Sequence, residues 1–509
     1  MRFIDELNGK NTQEEAAYIK KEIKRLKKLE LTAKNKNLIS NLYFKLYQLQ
    51  FQEDYMCLII DRPSDYDRAN KGFTINGVKY RRLLGTAGGI KNSTIVYVSE
   101  RLYPQLYERL CCGRDMSKEF MPAKLEAYQA LICSGSIPVS MPKGIIVVSD
   151  CVTHFKENII RVDDSSSDEP IVTYEENADI ELTESDGYGI MFPTLSYRWA
   201  RELGSTEEFL SGCNLRGLPW TKGMVFTFDA LSFAENVAHS YIVKDAWGDE
   251  RDIREAELII TTSMLKLWDS YSSWEDYWSN VQKYNYQIAI AKTAPEELDY
   301  YRTTNYQFLQ NYHLSQEEIQ ELIKPTIDEL QEILGLDYRK TLLFTRGTKM
   351  TPETILYDSS TDFAKGLMIE PELINDPYVR DRIYSMIHKK IRQAKIGVLK
   401  VRGNFAIIGG DPYSLMQHVF NLPVTGLLKA GECWHLHWHD SGVSEVCCFR
   451  APMTSKYNIR KLNIAYDAEK AYWYKYIKTC MLLNSWDSTA EALNGADKDK
   501  LGICPCKTR

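Results

Sequence analysis

The sequence has no run approaching the ~20 consecutive apolar residues that a membrane-spanning helix requires, so no membrane partner is expected. Its first residues, Met1 to Lys10, lack a basic start followed by an apolar stretch, and no signal peptide is expected. Positive charge is not in excess either. There are 63 Lys and Arg against 69 Asp and Glu, a net charge of −6. A basic footprint for nucleic acid over the whole chain is thereby excluded, although a locally positive channel inside an acidic shell is not. Common hydrolase signatures are missing: there is no G-x-S-x-G elbow, no H-E-x-x-H and no Cys/His nucleophile pair. The 12 cysteines form no staple framework, because they include the adjacent pairs Cys111-Cys112 and Cys447-Cys448. Reduced thiols and a cytoplasmic compartment are expected.

What is present is an ordinary globular composition, 44% hydrophobic and 26% charged over 509 residues, with length for about three domains. Residues 12–30 read as a helix, with Thr12 and Glu15 as its capping box. The basic run in it (Lys20, Lys21, Lys24, Arg25, Lys27, Lys28) is either a solvated face or a nucleic-acid contact. Residues 55–150 mix short β-like runs (Tyr55–Ile60, Thr94–Ser99, Gly144–Ser149) with helical pieces. Residues 163–187 are acidic, Ser-rich and contain Pro170, which predicts a linker and a boundary near residue 180. A β-rich stretch follows, with Gly223–Asp229 and Leu258–Ser263 its clearest strands. Residues 272–335 read as helical, Ser315 with Glu318 giving a second capping box and Pro325 expected to kink or divide the helix. Helix returns over 372–393. A second β-rich stretch runs from Gly397 through Ile408, Cys433–Trp438 and Val446–Phe449, before a Tyr-rich helix over about 467–483.

Two short constellations carry chemistry. Asn494-Gly495-Ala496-Asp497-Lys498-Asp499 places two carboxylates at i and i+2 on a tight loop. Clustered hard oxygens of this kind suit Mg²⁺, which keeps open positions for phosphate. A surface turn built from Asp and Asn would read the same way. Arg450-Ala451-Pro452 sets a guanidinium, suited to phosphate or sugar oxygens, on a proline-stiffened loop.

An R-A-P loop followed within a few dozen residues by N-x-D-x-D resembles the catalytic double-psi barrel of the largest subunit of cellular RNA polymerases. It is similar also to the single-chain relatives, the eukaryotic RNA-silencing RNA-dependent RNA polymerases and the crAss-like phage polymerases. Ser185-Asp186-Gly187-Tyr188-Gly189-Ile190 resembles the D-G-x-G-x-I opening of the first barrel in the silencing enzymes. Trp220-Thr221-Lys222-Gly223-Met224-Val225 is similar to their K-G-V strand, and Ser263-Met264-Leu265-Lys266-Leu267 to their S-M-x-K-aromatic segment. The resemblance covers residues 185–499 and implies an insertion at about Leu231–Arg254. It implies an α+β fold: two double-psi β-barrel-like domains joined by a helical connector, with a mixed α/β N-terminal region. The corresponding segments are 1–180 (N-terminal), 181–271 (first barrel), 272–393 (connector) and 394–509 (second barrel, incomplete).

Its functional implication is Mg²⁺-dependent, template-directed RNA synthesis from NTPs, of the DNA-directed phage type, in the cytoplasm of a bacterial host. Asp497 and Asp499 would hold the metal, Arg450 the nucleotide, and Lys222 and Lys266 the phosphates. Cations facing the aspartates would absorb charge building on the transferred phosphate. The chain departs from the family where a third carboxylate is expected, since Leu501 stands there, and GICPCKTR then ends it without strand alternation. The expectation is therefore a truncated second barrel with impaired catalysis. The alternatives are a non-catalytic nucleic-acid-binding or assembly subunit completed by a second polypeptide, and an RNA-directed enzyme.

Three further motifs compete. Cys433, His435, His437 and His439 alternate, so on a strand they would share a face, ending in a hairpin turn at Asp440-Ser441-Gly442. A transition-metal hydrolase built on His435, His437 and His439 is the reading this allows. Gly85–Ser93 is a basic, Gly-rich loop whose spacing fails the P-loop pattern. Asp411-Pro412 reads as a helix or turn start.

Overall fold

The structure is a computed structural model that describes residues 12–27, 33–50, 54–59, 62–75, 77–85, 94–163, 171–310, 312–346, 362–453 and 455–496. In chain order the strands are β1 (Tyr55–Ile59), β2 (Phe73–Ile75), β3 (Val78–Gly85), β4 (Thr94–Ser99), β5 (Ile137–Pro138), β6 (Ile145–Val148), β7 (Val152–Asp163), β8 (Ile171–Thr183), β9 (Tyr188–Met191), β10 (Gly212–Arg216) and β11 (Gly223–Thr227). They continue with β12 (Ile242–Lys244), β13 (Glu250–Asp252), β14 (Leu258–Thr261), β15 (Ala289–Thr293), β16 (Tyr301–Thr303), β17 (Lys400–Arg402), β18 (Ile407–Gly409), β19 (Glu432–Trp434), β20 (Glu445–Phe449), β21 (Ile459–Ile464) and β22 (Cys480–Leu483).

Two compact units result. One comprises Met1–Gly135, Gly217–Trp220 and Leu267–Tyr286. Its helices Thr12–Leu26 and Ala33–Gln50 pack through Ile19, Ile23 and Leu46. A four-stranded antiparallel sheet, ordered β1-β4-β3-β2, follows. Tyr80, Ile95 and Tyr97 form one cluster of its core, and helix Tyr103–Cys111 lays Leu106 and Leu110 against Val98 and Leu84 of the same strands, β4 and β3.

The second unit comprises Ser136–Arg216, Thr221–Lys266 and Gln287–Arg509. It holds a seven-stranded sheet, β5-β15-β10-β11-β9-β14-β6, and a five-stranded sheet, β18-β22-β19-β21-β20. The two repeat one pattern. In the larger sheet β10–β11 is antiparallel, β11–β9 parallel, β9–β14 antiparallel and β14–β6 parallel. In the smaller, β20–β21 is antiparallel, β21–β19 parallel, β19–β22 antiparallel and β22–β18 parallel. Taken along the chain, β6, β9, β10, β11 and β14 hold the places that β18, β19, β20, β21 and β22 hold in the other sheet. β15 and β5 extend only the larger one. Strands β6, β9, β11, β14 and β22 are buried at every position, so they read as unbroken apolar runs, as strands covered on both faces do.

The sheets share one aromatic core. Tyr188, Phe226, Phe228 and Phe233 from the first meet Tyr413, Trp434, Trp473 and Tyr474 from the second. Phe228 stacks on Trp473 at 5.6 Å, and Phe233 meets Tyr413 edge-on at 5.0 Å. Close approach depends on Gly409 and Gly410. A Cβ on Gly409 would lie 2.6 Å from the Phe226 ring, and one on Gly410 would lie 2.5 Å from the Tyr188 ring and inside the Glu184 carboxylate.

Several segments differ from the sequence reading. Residues 171–183 are no linker: β8 pairs with β7 along its length, from Val152↔Thr183 to Asp163↔Ile171. Its β-branched residues and the cross-strand Arg161–Glu175 pair (2.8 Å) favour a ribbon over coil. β6 already belongs to the first large sheet, which therefore begins before residue 181, and Leu267–Tyr286 pack with the N-terminal unit. The stretch Leu231–Arg254 folds as a short helical turn ending at Ala238 and the β12–β13 hairpin. Pro325 leaves the Gln316–Leu334 helix continuous. Both halves are anchored, because Leu322 packs against Val401, Phe449 and Met453, and beyond the proline Thr326 Oγ1 accepts from the Lys400 amide at 2.8 Å and Ile333 is buried with Leu342, Leu367 and Ile383. The Tyr-rich helix stops at Trp473, and Cys480–Leu483 is a central strand. Four consecutive fully buried apolar residues are too short for a core helix and suit a two-faced strand. Strand β19 likewise ends at Trp434, and Leu436–Asp440 is a helical turn. Among the described residues no helix is long and apolar enough to cross a membrane, and the ten described cysteines are free.

Gly410→Ala is expected to lower stability by about 1–3 kcal/mol, the usual cost of overpacking, read as a reduced midpoint in urea unfolding with secondary structure retained. An unchanged midpoint would show that the two sheets are not closely apposed at this point.

Candidate functional site

The first large sheet brings three of the sequence motifs side by side. β9, which carries Tyr188-Gly189-Ile190, lies between β11, which begins at Gly223, and β14, which leads into Ser263–Lys266. The Met224 amide donates to the Gly187 carbonyl at 2.9 Å, and the Gly187 amide to Ser263 Oγ at 2.9 Å. The Lys222 amide donates to the Met264 carbonyl at 3.0 Å, beside an antiparallel bridge between Thr221 and Leu265. Lys222 and Lys266 thus flank one bridge, one residue from it on each strand. Both are partly exposed while Thr221 and Leu265 are buried.

Asp150 holds these segments together, a role its place in the sequence does not advertise. Its Oδ1 accepts from Ser263 Oγ at 2.6 Å and Ser185 Oγ at 2.9 Å. Its Oδ2 accepts from Thr262 Oγ1 at 2.6 Å and the Ser263 amide at 2.8 Å. One carboxylate therefore pins the start of the first motif to the start of the third. Asp150 stands two residues after β6. Asp411 stands two residues after β18, the matching strand of the second sheet.

Asp411 is fully buried and starts the helix Pro412–Val419, as the Asp-Pro pair predicts, with Oδ1 accepting from the Tyr413 amide at 2.9 Å. Its carboxylate also accepts from Tyr474 Oη (2.7 Å), Ser414 Oγ (3.3 Å) and the Leu427 amide (2.7 Å). Its own amide donates to Glu184 Oε1 at 2.8 Å, and Glu184 Oε2 accepts from Tyr188 Oη at 2.8 Å. Glu184 is fully buried too. Burial, reinforced by the neighbouring Glu184 carboxylate, pushes the Tyr188 hydroxyl well above its usual range. Burial and then Asp411 do the same for Tyr474. Both phenols stay protonated and serve as donors.

In the second sheet, β20 delivers Arg450 at its end. Arg450 Nη1 donates to the carbonyls of Leu493 (3.1 Å) and Asn494 (2.9 Å). Asn494 and Gly495 both take left-handed backbone conformations, φ 63° and 53°, which turn the chain toward the acidic loop. Asn458 Nδ2 adds a bond to the Ala492 carbonyl at 2.8 Å, and Arg460 Nη2 one to Ser488 Oγ at 2.6 Å. The arginine loop and the approach to the acidic loop are thus in direct contact. Asp497, Asp499 and Leu501 lie outside the described residues, as do residues 86–93 of the Gly-rich loop.

The histidine motif does not assemble a metal centre. Past Trp434 the chain turns helical, so His435, His437 and His439 do not share a strand face. The His435 and His437 rings are 6.3 Å apart, while His439 stacks on Tyr466 at 3.8 Å and pairs with Asp440 at 3.0 Å. Among the described residues no group of three His, Cys, Asp or Glu side chains is placed to hold a metal. His435 is fully buried with neither ring nitrogen hydrogen-bonded, and burial drops its pKa to about 3.

No protein-family model matches the chain. It is 28% identical over 397 residues to the DNA-directed RNA polymerase YonO of Bacillus phage SPbeta, an alignment covering 75% of this chain and 43% of that protein. Among solved structures, the RNA-dependent RNA polymerase QDE-1 from Thielavia terrestris superposes with a TM-score of 0.55 at 13% identity, over 89% of this chain and 49% of that one. The chain spans less than half the length of each. The resemblance to the two-double-psi-barrel RNA polymerase superfamily therefore holds in sequence and in fold.

The buried imidazole makes the second sheet acid-sensitive. His435 binds a proton near pH 6.5 when exposed by unfolding, but only near pH 3 when folded. Between these values the unfolded chain binds more protons, so stability is full above about pH 6.5 and falls as pH drops toward 3. Urea unfolding at a series of pH values should show His435→Leu flattening this limb by up to about 1.4 kcal/mol per pH unit. Parallel limbs in the two proteins would refute it.

Proposed function

We propose that the chain performs template-directed RNA synthesis, with its two sister sheets acting as double-psi β-barrel-like domains joined by a connector that carries helices Gln316–Leu334 and Pro377–Lys395. The expected connector 272–393 is shorter at its start, because Ala289–Thr293 is a strand of the first sheet. The observation that carries this reading is the pair of bonds from Arg450 to the Leu493 and Asn494 carbonyls. It sets the arginine loop against the segment that leads directly into Asp497 and Asp499. The paired lysine segments of the sister sheet supply the other half of the chemistry. The likeness to a phage polymerase named as DNA-directed favours a DNA template.

In this reading the 3′ hydroxyl of the growing RNA attacks the α-phosphate of an NTP, and pyrophosphate leaves. Arg450 orients the incoming nucleotide, since a guanidinium already fixed by two carbonyls loses little freedom on binding. Lys222 and Lys266 neutralise charge building on the phosphates. Asp497 and Asp499 offer the hard carboxylate oxygens that suit Mg²⁺, and the left-handed turn at Asn494-Gly495 is the kind of tight bend that presents such a pair. The metal would supply activation of the hydroxyl and a clamp on the leaving group.

The full chain, given NTPs, Mg²⁺ and a single-stranded DNA template, is expected to make RNA above the enzyme-free background. Asp497→Asn should lower that product at least about tenfold without loss of template binding, and Arg450→Ala should lower it comparably. A parallel reaction on an RNA template decides template type. Template binding with no incorporation would favour the non-catalytic module instead.

A further inference from the structure

The N-terminal unit contains a cationic cleft that the sister sheets do not use. Its volume is about 440 Å³, and its walls include Asn70, Lys71, Arg81, Arg82, Tyr103 and Glu126. The space is within the range that accepts a nucleotide-sized ligand. Two kinds of group line it. Arg82 is held, because its guanidinium grips the Glu126 carboxylate and donates to Asn70 Oδ1 at 3.1 Å, while Glu126 also accepts the Gly85 amide at 2.8 Å. Lys71 and Arg81 are exposed, and among the described residues neither is paired with a carboxylate.

Arg81 is pre-placed in a different way. Tyr103 and Tyr107 stack in parallel, their ring centres 5.4 Å apart with an interplanar angle of 11°. The Arg81 guanidinium lies 3.9 Å from the centre of the Tyr103 ring. Tyr103 therefore meets both a parallel ring and a planar cation. A guanidinium plane is a platform on which an unpaired base can stack, and the charge beside it attracts the neighbouring phosphate. An inorganic anion would use the charge and leave the aromatic rings without purpose.

We propose that this cleft binds single-stranded nucleic acid, one base stacking on Arg81 and an adjacent phosphate meeting Lys71. The proposal is separate from nucleotidyl transfer at the sister sheets and concerns a second contact with a strand.

The test is photocross-linking of a short photoreactive oligothymidylate to the full chain, with the adducts mapped by mass spectrometry. Adducts are expected on the peptide that carries Tyr103 and Tyr107. Arg81→Lys keeps the charge and loses the plane, so it should cut their yield about tenfold, nearly as far as Arg81→Ala. Lys71→Ala should reduce the slope of log affinity against log salt by about 0.7. Thermal melts of these exposed-site variants should match the parent. No adduct on this peptide, or an unchanged yield in Arg81→Lys, would overturn the proposal. Failure of these adducts to form when ATP is present during irradiation would overturn it in favour of a free-nucleotide site. Because Asp497→Asn should leave these adducts intact, failure here and failure of the polymerase reading are told apart.

Discussion

The second unit depends on a buried carboxylate contact. Glu184 approaches from the segment before β9 in one sheet, and Asp411 from the end of β18 in the other, and neither has access to water. Each donor to them named above is neutral: backbone amides, the hydroxyl of Ser414 and two tyrosine hydroxyls. A buried carboxylate is tolerated only when its lone pairs are occupied. The network is therefore all-or-none. It requires Tyr188 and Tyr474 to stay protonated, Gly410 to lack a side chain, and the two sheets to sit at one separation. The aromatic core between the sheets supplies attraction without direction. The polar contact supplies the register.

The two sheets are built on one plan and put to different ends. In each, an aspartate two residues beyond the first strand gathers donors from the segment leading into the next strand: Ser185 for Asp150, Leu427 for Asp411. In the first sheet the aspartate also draws in the segment after β14, which runs beside the Lys222 segment through the Thr221–Leu265 bridge. In the second it turns inward to Tyr474 and Glu184 and becomes a strut. The candidate groups there are elsewhere: Arg450 is fixed by the Leu493 and Asn494 carbonyls, just before the acidic segment in the sequence. The shared topology gives two equivalent frames that carry different polar side chains. In the N-terminal unit a guanidinium, Arg81, lies over an aromatic ring rather than in a carbonyl clamp.

The candidate site was legible wherever chemistry is carried by a short contiguous motif. Lys222, Lys266, Arg450, Asp497 and Asp499 could be named as candidates because each sits in a short recognisable string; of these the structure describes Lys222, Lys266 and Arg450. Asp150, Glu184 and Asp411 could not be named. Each is a single carboxylate whose partners come from other parts of the chain, Asp150 reaching Ser263 across 113 positions and Glu184 reaching the Asp411 amide across 227. The histidine alternation misled for a related reason. A period of two predicts a strand only while the neighbouring strand continues, and β22 pairs with β19 no further than Trp434.

The sequence by itself determined the local elements whose signals are local: the capping box at Ser315, the helix start at Asp411-Pro412, and the apolar strands β11 and β14. It determined the chemical identity of the cations and carboxylates. Tertiary structure decided whether 171–183 was coil or ribbon, whether 480–483 was helix or strand, and whether Pro325 broke its helix. In each case local preference is worth a fraction of a kcal/mol to a few kcal/mol, less than what burial or pairing of the whole segment contributes. Only the folded chain could show that two stretches without a visible sequence repeat share one topology. Strand order is set by which edges pair across distance, and many apolar sequences satisfy the same pairing.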